Sequence, residues 1–196
     1  MSTVYDTGMK KHNNKKALAV ERIELVNLVD TNGARVGTME KIAAHRVGAL
    51  HEAFSIFIVN GRGEMMLQKR AKSKYHSGGL WSNACCGHPR PDEPVFVAAH
   101  RRLREEMGFD CELHEVFSLT YKTVFKNNLH EYEFDHVFLG LYDDEPRVDQ
   151  KEASSWRYET MSRIHRDLQS LPHAYTFWFK LIFPRIESII ESGRSL

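Results

Sequence analysis

The sequence predicts an α/β chain of the α+β kind: a mixed β-sheet sandwiched between helices, with extra helices at the C-terminal end. Three observations predict it. Short β-rich runs fill the first half and return after one amphipathic helix, Val95 to Met107. Turn signals such as Thr31-Asn32-Gly33 and Gly61-Arg62-Gly63 separate the early runs. From Met161 onward the spacing is helical. At 196 residues the chain suffices for one well-buried domain, expected over 21–192, and is too short for two of ordinary size.

Met1 to Lys16 is polar and basic, lacks the apolar core of a signal peptide, and reads as part of a flexible arm over 1–20. Ile23 to Asp30 alternates apolar and polar residues as a strand does, and Thr31-Asn32-Gly33 turns it. Val36 to Ala44 reads as a short strand running into a helical turn. Ala53 to Asn60 is an apolar strand, Gly61-Arg62-Gly63 a hairpin turn, and Glu64 to Lys69 the returning strand. Arg70 to Gly79 is polar and glycine-ended, hence a loop, and carries Arg70, Lys72, Lys74 and His76. Pro91-Asp92-Glu93 offers a helix start; Val95, Ala98, Ala99, Leu103 and Met107 fall at helical spacing until Gly108 stops them. Cys111 to Thr123 and Glu131 to Tyr142 read as strands joined at Lys126-Asn127-Asn128, and Trp156-Arg157-Tyr158 as a last short strand. Met161 to Gln169 and about Ala174 to Ser192 are helical, with Pro184 kinking or splitting the second helix.

Hydrophobic residues at 42% and charged residues at 27% sit near globular averages, which argues against a disordered or fibrous class. A net charge of +1 argues against nucleic acid as a partner. No apolar run approaches the ~20 residues that cross a bilayer, so no membrane partner is expected. Three cysteines, two of them adjacent, make no secreted disulfide framework, so the thiols are read as reduced and the compartment as cytoplasmic. The final Arg194-Ser195-Leu196 does not match a Ser-Lys-Leu address.

The chemistry concentrates in Cys85-Cys86-Gly87-His88-Pro89, Glu93 and Arg101-Arg102-Leu103-Arg104-Glu105-Glu106-Met107-Gly108. Glutamates one helical turn apart converge on one cation, and oxygen ligands suit magnesium bridging to a diphosphate. The spacing Gly87, five residues, Glu93, seven residues, Arg101, then Glu105-Glu106-Met107-Gly108-Phe109 resembles the Nudix box. Arg102 departs from it, standing where the box has a glutamate. Hydrolysis needs enough carboxylate to orient metals and activate water; a cation weakens that and adds a diphosphate ligand. Diphosphate is therefore expected to be held here rather than cut.

Cys86-Gly87-His88-Pro89, with Glu131-Tyr132-Glu133, Lys41-Ile42-Ala43-Ala44-His45 and His51-Glu52-Ala53-Phe54-Ser55, resembles the type I isopentenyl-diphosphate isomerases over roughly Glu21 to Phe183. That resemblance implies a Nudix-like fold and interconversion of isopentenyl and dimethylallyl diphosphates through a tertiary carbocation. Such chemistry needs two proton-handling groups facing each other, a dry aromatic lining and a clamp for the diphosphate. It implies Cys86 and Glu133 as the proton-handling pair; sequence alone leaves open which of them gives the proton, and the order favoured is Glu133 delivering it and the Cys86 thiolate removing the other, with Cys85 read as packing. Tyr121 and Trp178 become the aromatic lining, where a ring face steadies a cation and Tyr121 can hydrogen-bond Glu133. Phe54, Trp81, Phe125 and Phe177 are read as core or wall.

Glu131 and Glu133, two apart on a strand, project to one face. With His45, His51 and His88 they are expected to hold one Zn2+ or Mn2+. Of the 11 histidines, His12, His76, His100, His114, His130, His136, His165 and His173 are read as structural or surface. Lys41, Arg70, Lys74 and Arg102 match the family's diphosphate contacts, and Glu106 is expected to share Mg2+ with the substrate. The expected partner is a small prenyl diphosphate, with the chain acting as a monomer or alternatively a homodimer. The rival readings are a Nudix pyrophosphohydrolase acting on a nucleoside or prenyl diphosphate, and a non-catalytic metal- or diphosphate-binding protein.

Overall fold

The computed structural model describes residues 23–125 and 127–193. The expected arm over 1–20, Lys126 of the expected turn and Arg194-Ser195-Leu196 lie outside the described residues. The strands are β1 (Leu25–Val29), β2 (Arg35–Glu40), β3 (His51–Val59), β4 (Glu64–Arg70), β5 (Trp81–Ser82), β6 (Cys85–Gly87), β7 (Leu113–Val124), β8 (His130–Leu141) and β9 (Ala153–Thr160). The helices are α1 (Lys41–Val47), α2 (Val95–Met107), α3 (Met161–Ser170) and α4 (Phe177–Glu191), with a short 3-10 turn at Pro172–Ala174.

Among the described residues the strands join into one nine-stranded mixed sheet. Strand β3 is its spine: antiparallel to β1, β4 and β6, and parallel to β8. All nine residues of β3 are buried, as a strand covered on both faces must be. Alternation then sorts two cores. Phe54, Ile56 and Ile58 face α2, where Ala98, Ala99, Leu103 and Met107 supply the apolar stripe. Phe57 and Val59 face the other way, against Ile164 of α3 and Trp178, Phe179, Ile182, Phe183 and Ile186 of α4. The expected sandwich is therefore present.

Local signals explain the element ends. Glu40 caps α1 by accepting from the backbone N–H of Ile42 and Ala43 at 2.8 and 2.7 Å. Thr160 and Thr176 cap α3 and α4. Helix α2 ends at Gly108 with φ +74°, where a Cβ would lie 2.6 Å from the Arg147 carbonyl, so both conformation and space demand glycine.

Several expectations shift. The helical turn after β2 is a full helix, α1, and Arg70 ends β4 rather than opening the loop. Strand β3 starts at His51, two residues earlier than expected, because both polar residues there are buried by tertiary contacts. Pro91-Asp92-Glu93 is a turn that precedes α2 rather than its first turn. Pro184 does not split the last helix: α4 runs through it.

Candidate active site

The register of the sheet brings the reactive residues together. Cys86 on β6 pairs with Ser55 on β3, and Glu133 on β8 pairs with His51 on β3. Ser55 and His51 are four apart on one strand, so their side chains share a face, and so do those of the residues beside them. Tyr121 on β7 pairs with Glu133 from the other side. The same alternation separates the adjacent cysteines: Cys85 is fully buried against α2, while Cys86 turns to the opposite face. Gly87 lets α2 approach, since a Cβ there would sit 2.8 Å from the Phe54 ring and 3.3 Å from Arg102.

On that face lies a cavity of about 540 Å3 lined by Cys86, Glu133, Tyr121, Trp178, His88 and Ser55 and also by Lys41, Arg70, Lys74 and Arg102. Glu131, Glu106, Glu105 and Glu152 also reach it. Its size suits a small ligand with an apolar and an anionic part.

Cys86 is held by its neighbours. Its Sγ lies 3.1 Å from Asn83 Nδ2, 3.3 Å from Asn83 Oδ1 and 3.6 Å from the Ser55 hydroxyl, which donates to Asp135 Oδ2 at 2.8 Å. The Trp178 indole N–H donates to Ser82 Oγ at 2.9 Å and Asn83 Oδ1 at 3.2 Å, so the ring and the thiol share a support. Burial pushes the Cys86 thiol up, and the Asp135 carboxylate adds to the push. Burial likewise raises Asp135, with the charge on Glu133 reinforcing it.

Glu133 is buried, which alone would raise it, but the imidazoles of His51 and His88 beside it outweigh burial and hold it well below the carboxylate range. His88 Nε2 lies 3.1 Å and His51 Nε2 3.7 Å from Glu133 Oε1; the Tyr121 hydroxyl donates to Oε2 at 2.5 Å. Burial and the charge on Glu133 raise Glu131, the next residue on the same face. Burial lowers His45 to about 4 and His88 to about 3; His51 is also penalised by burial, but the Glu133 carboxylate carries it above its usual value.

The histidines are set up as ligands. His45 and His51 are 0% exposed, and their Nδ1 atoms lie 2.7 and 2.9 Å from the Lys41 and Ala49 carbonyls. A carbonyl only accepts, so Nδ1 carries the proton and Nε2 presents a lone pair. Both Nε2 atoms are buried without a hydrogen-bond partner, a costly arrangement unless something accepts those lone pairs. His45, His51, His88 and Glu133 place donor atoms within 4.8 Å of one another, as do His45, His76 and Glu131. The residues thus fit a divalent cation. The five ligands expected from the sequence fall into these two overlapping groups, Glu131 belonging with His76.

The expected clamp residues all border the cavity, three of them beside an acid. Lys41 pairs with Glu24 at 2.9 Å, and Lys74 pairs with Glu152. Arg102 reaches Glu105 at 2.6 Å, Glu152 at 3.1 Å and Glu106. Arg70 lies over the Trp178 ring, 5.1 Å from its centre. Glu93 binds Arg101 through both oxygens at 2.7 Å and accepts from the Arg90 backbone, so it braces α2.

Two expectations fail outright. His76, read as structural or surface, is buried in the site beside Glu131. Phe177, read as core or wall, is 38% exposed. Sequence reasoning also missed Asn83, Ser55 and Asp135 around Cys86; the alternation of Glu131, Glu133 and Asp135 along β8 was the available signal for the last. His100, His136 and His165 pair with Asp110, Glu115 and Glu187 respectively, as ordinary structural histidines do.

A family profile described as the NUDIX domain matches residues 49–179. A curated relative from Aromatoleum aromaticum, isopentenyl-diphosphate Delta-isomerase 1, is 48% identical over 170 residues, covering 87% of this chain and 96% of the relative. The isopentenyl-diphosphate Delta-isomerase of Halorhodospira halophila is 50% identical over 161 residues, covering 81% and 92%. Among solved structures, the MutT protein of Methanosarcina mazei superposes with a TM-score of 0.60 at 18% identity, covering 74% of this chain and 96% of that one. A Deinococcus radiodurans crystal structure gives 0.60 at 20% identity, covering 78% and 100%. These last two likenesses concern the fold alone.

Proposed function

The chain belongs to the NUDIX family and, within it, to the isopentenyl-diphosphate Delta-isomerases, and from that premise we propose that Cys86 and Glu133 carry the two proton transfers. It interconverts isopentenyl and dimethylallyl diphosphates. The observation that carries the residue assignment is the cavity itself: a thiol and a carboxylate on one face of the sheet, in a cavity that four cations also line.

The pair needs one working proton. Glu133 gives it to the terminal alkene carbon, charge develops at the tertiary centre, and the Cys86 thiolate takes a proton from the carbon on the other side. The product state has the proton on Cys86 and a carboxylate at Glu133. Burial of Cys86 and the imidazoles beside Glu133 favour that same state in the free protein, which is where the reverse reaction begins. Tyr121 supports the Glu133 carboxylate as it forms, through its 2.5 Å hydrogen bond. Trp178 presents a ring face to the cation and helps keep water from it.

Divalent metal binding follows from the family and from the His and Glu cluster. Zn2+ or Mn2+ at His45, His51, His88, Glu131 and Glu133 would fix the carboxylates and tune the acidity of Glu133. Mg2+ arriving with the diphosphate would be shared by Glu106, while Lys41, Lys74 and Arg102 turn from their acid partners to phosphate oxygens and Arg70 joins them. The substrate is a small diphosphate. Among the described residues no helix is long and apolar enough to cross a membrane. The reading is completed by a single catalytic domain over 21–192, acting as one chain in the cytoplasm.

Cys86→Ala and Glu133→Gln test the assignment. Each is expected to abolish turnover of isopentenyl diphosphate while affinity for inorganic diphosphate is retained. Appreciable turnover in either variant would remove that residue from the pair.

A further inference from the structure

His76 lies in the segment between β4 and β5, 6% exposed, with Nε2 2.9 Å from Glu131 Oε1. At that separation an N–H aimed at the oxygen would make a hydrogen bond. None is formed: Nε2 of His76 is buried and unpartnered, as are Nε2 of His45 and His51. A ring nitrogen and a carboxylate oxygen that are close but not bonded to each other resemble adjacent corners of one coordination shell. Bonds of about 2.1 Å at right angles set neighbouring donor atoms about 3 Å apart. The ring is also fixed in place. Phe125 stacks on it at 4.4 Å with an 8° tilt, and Tyr75 meets it edge-on at 4.3 Å.

His45 joins both ligand groups, one with His51, His88 and Glu133 and one with His76 and Glu131; the six donor atoms do not all lie within 4.8 Å of one another, so a single shell requires the two groups to draw together around His45. Two arguments make these one centre. The Nε2 of His45 has a single lone pair and can serve only one ion, which would leave a second ion with two protein ligands. Charge points the same way: one dication is neutralised by the Glu131 and Glu133 carboxylates. A second would have to draw on Glu24, Glu106 and Glu152, which also line the cavity but already pair with Lys41, Arg102 and Lys74.

We infer that His76 is a sixth protein ligand of the divalent ion, completing a shell made by His45, His51, His76, His88, Glu131 and Glu133 that leaves no position for water. The inference rests on the metal reading above and deepens it. A shell filled in this way offers no site for a substrate oxygen. It holds the two carboxylates rigid and keeps a reactive water away from the carbocation.

Manganese is the probe. The full chain is stripped with chelator and reloaded with Mn2+ beside His76→Ala and the milder His76→Gln, with circular dichroism confirming each fold. Metal per chain, Mn2+ affinity and water-proton relaxation are measured. The wild type is expected to bind one ion with no rapidly exchanging water on it. His76→Ala should bind at least about tenfold more weakly, and its relaxation enhancement should rise as water enters the vacated position and fall again when imidazole is added. If His76→Ala does not fold, His76→Gln is expected to show the same weaker binding. Unchanged affinity and relaxation in the folded variants would overturn the role of His76 alone, as would two ions per wild-type chain. A wild-type chain that binds no manganese would overturn the metal reading itself.

Discussion

Tyr121→Phe isolates one interaction at the proposed proton-transfer site. The Tyr121 ring packs in the core beside α4, so phenylalanine preserves the packing and removes only the oxygen. That oxygen donates at 2.5 Å to Glu133 Oε2 and stands 3.4 Å from Glu131 Oε2. A hydrogen bond to a charged group contributes about 1.5–3 kcal/mol. If Glu133 delivers the proton, the bond is strongest once the carboxylate has formed, so its loss falls on the transition state and not on substrate binding. With about 1.36 kcal/mol for each factor of ten, kcat should fall about tenfold to a hundredfold or slightly more. KM should barely move, because the hydroxyl is not among the cations that face the diphosphate. The assay is steady-state conversion of isopentenyl to dimethylallyl diphosphate, with a melting curve to confirm an intact fold. An unchanged kcat, or a loss confined to KM, would refute the assignment of Tyr121 as the donor that supports Glu133.

Trp178→Ala should lower turnover more than substrate affinity, since the ring is proposed to face the cation and its N–H donates to Asn83 beside Cys86; the reverse pattern in steady-state kinetics would return Trp178 to a packing role. Gly87→Ala should destabilise the fold by about 1–3 kcal/mol in urea unfolding, because the added methyl meets the Phe54 ring at 2.8 Å. The chelator-stripped protein should lose stability as pH falls below 6.5 towards about 4, followed by thermal melts. His45 and His88 stay neutral in the fold to about 4 and about 3, whereas the unfolded chain protonates them near 6.5, so the unfolded state binds more protons in that window. Each contributes roughly 1.4 kcal/mol per pH unit, as does His76, lowered to about 3, while His51, Glu131 and Asp135 shift the opposite way and work against the loss.

What could be read from the sequence was whatever local periodicity encodes. Helix α2 was legible over Val95–Met107 because Ala98, Ala99, Leu103 and Met107 fall at helical spacing and Gly108 ends it, although the start offered by Pro91-Asp92-Glu93 proved to be a turn before it. The shared face of Glu131 and Glu133 followed from a period of two, and the box spacing located Arg102 before its contacts were known. Alternation along β6 also explains why Cys86 and not Cys85 opens to the cavity, although the choice came from the motif. The failures were tertiary. His76 sits in a polar, glycine-ended segment that reads as exposed, and it is buried only because Phe125 and Tyr75, distant or unremarkable in sequence, close over it. Strands β5 and β6, of two and three residues, are too short to show any period. The contact of Ser55 with the thiol, and that of Asp135 with Ser55, arise from the pairing of β3 with β6 and β8, which single-chain patterning does not reveal.

The most direct test of the paired thiol and carboxylate is deuterium tracing. The protein is incubated with isopentenyl diphosphate and magnesium in deuterated water, and the products are read by mass spectrometry and NMR while free phosphate is assayed. Label should enter the methyl group formed at the terminal carbon of dimethylallyl diphosphate, with no phosphate released and no label gained by Cys86→Ala or Glu133→Gln. Release of phosphate, or label incorporated at the wild-type rate by either variant, would contradict the account.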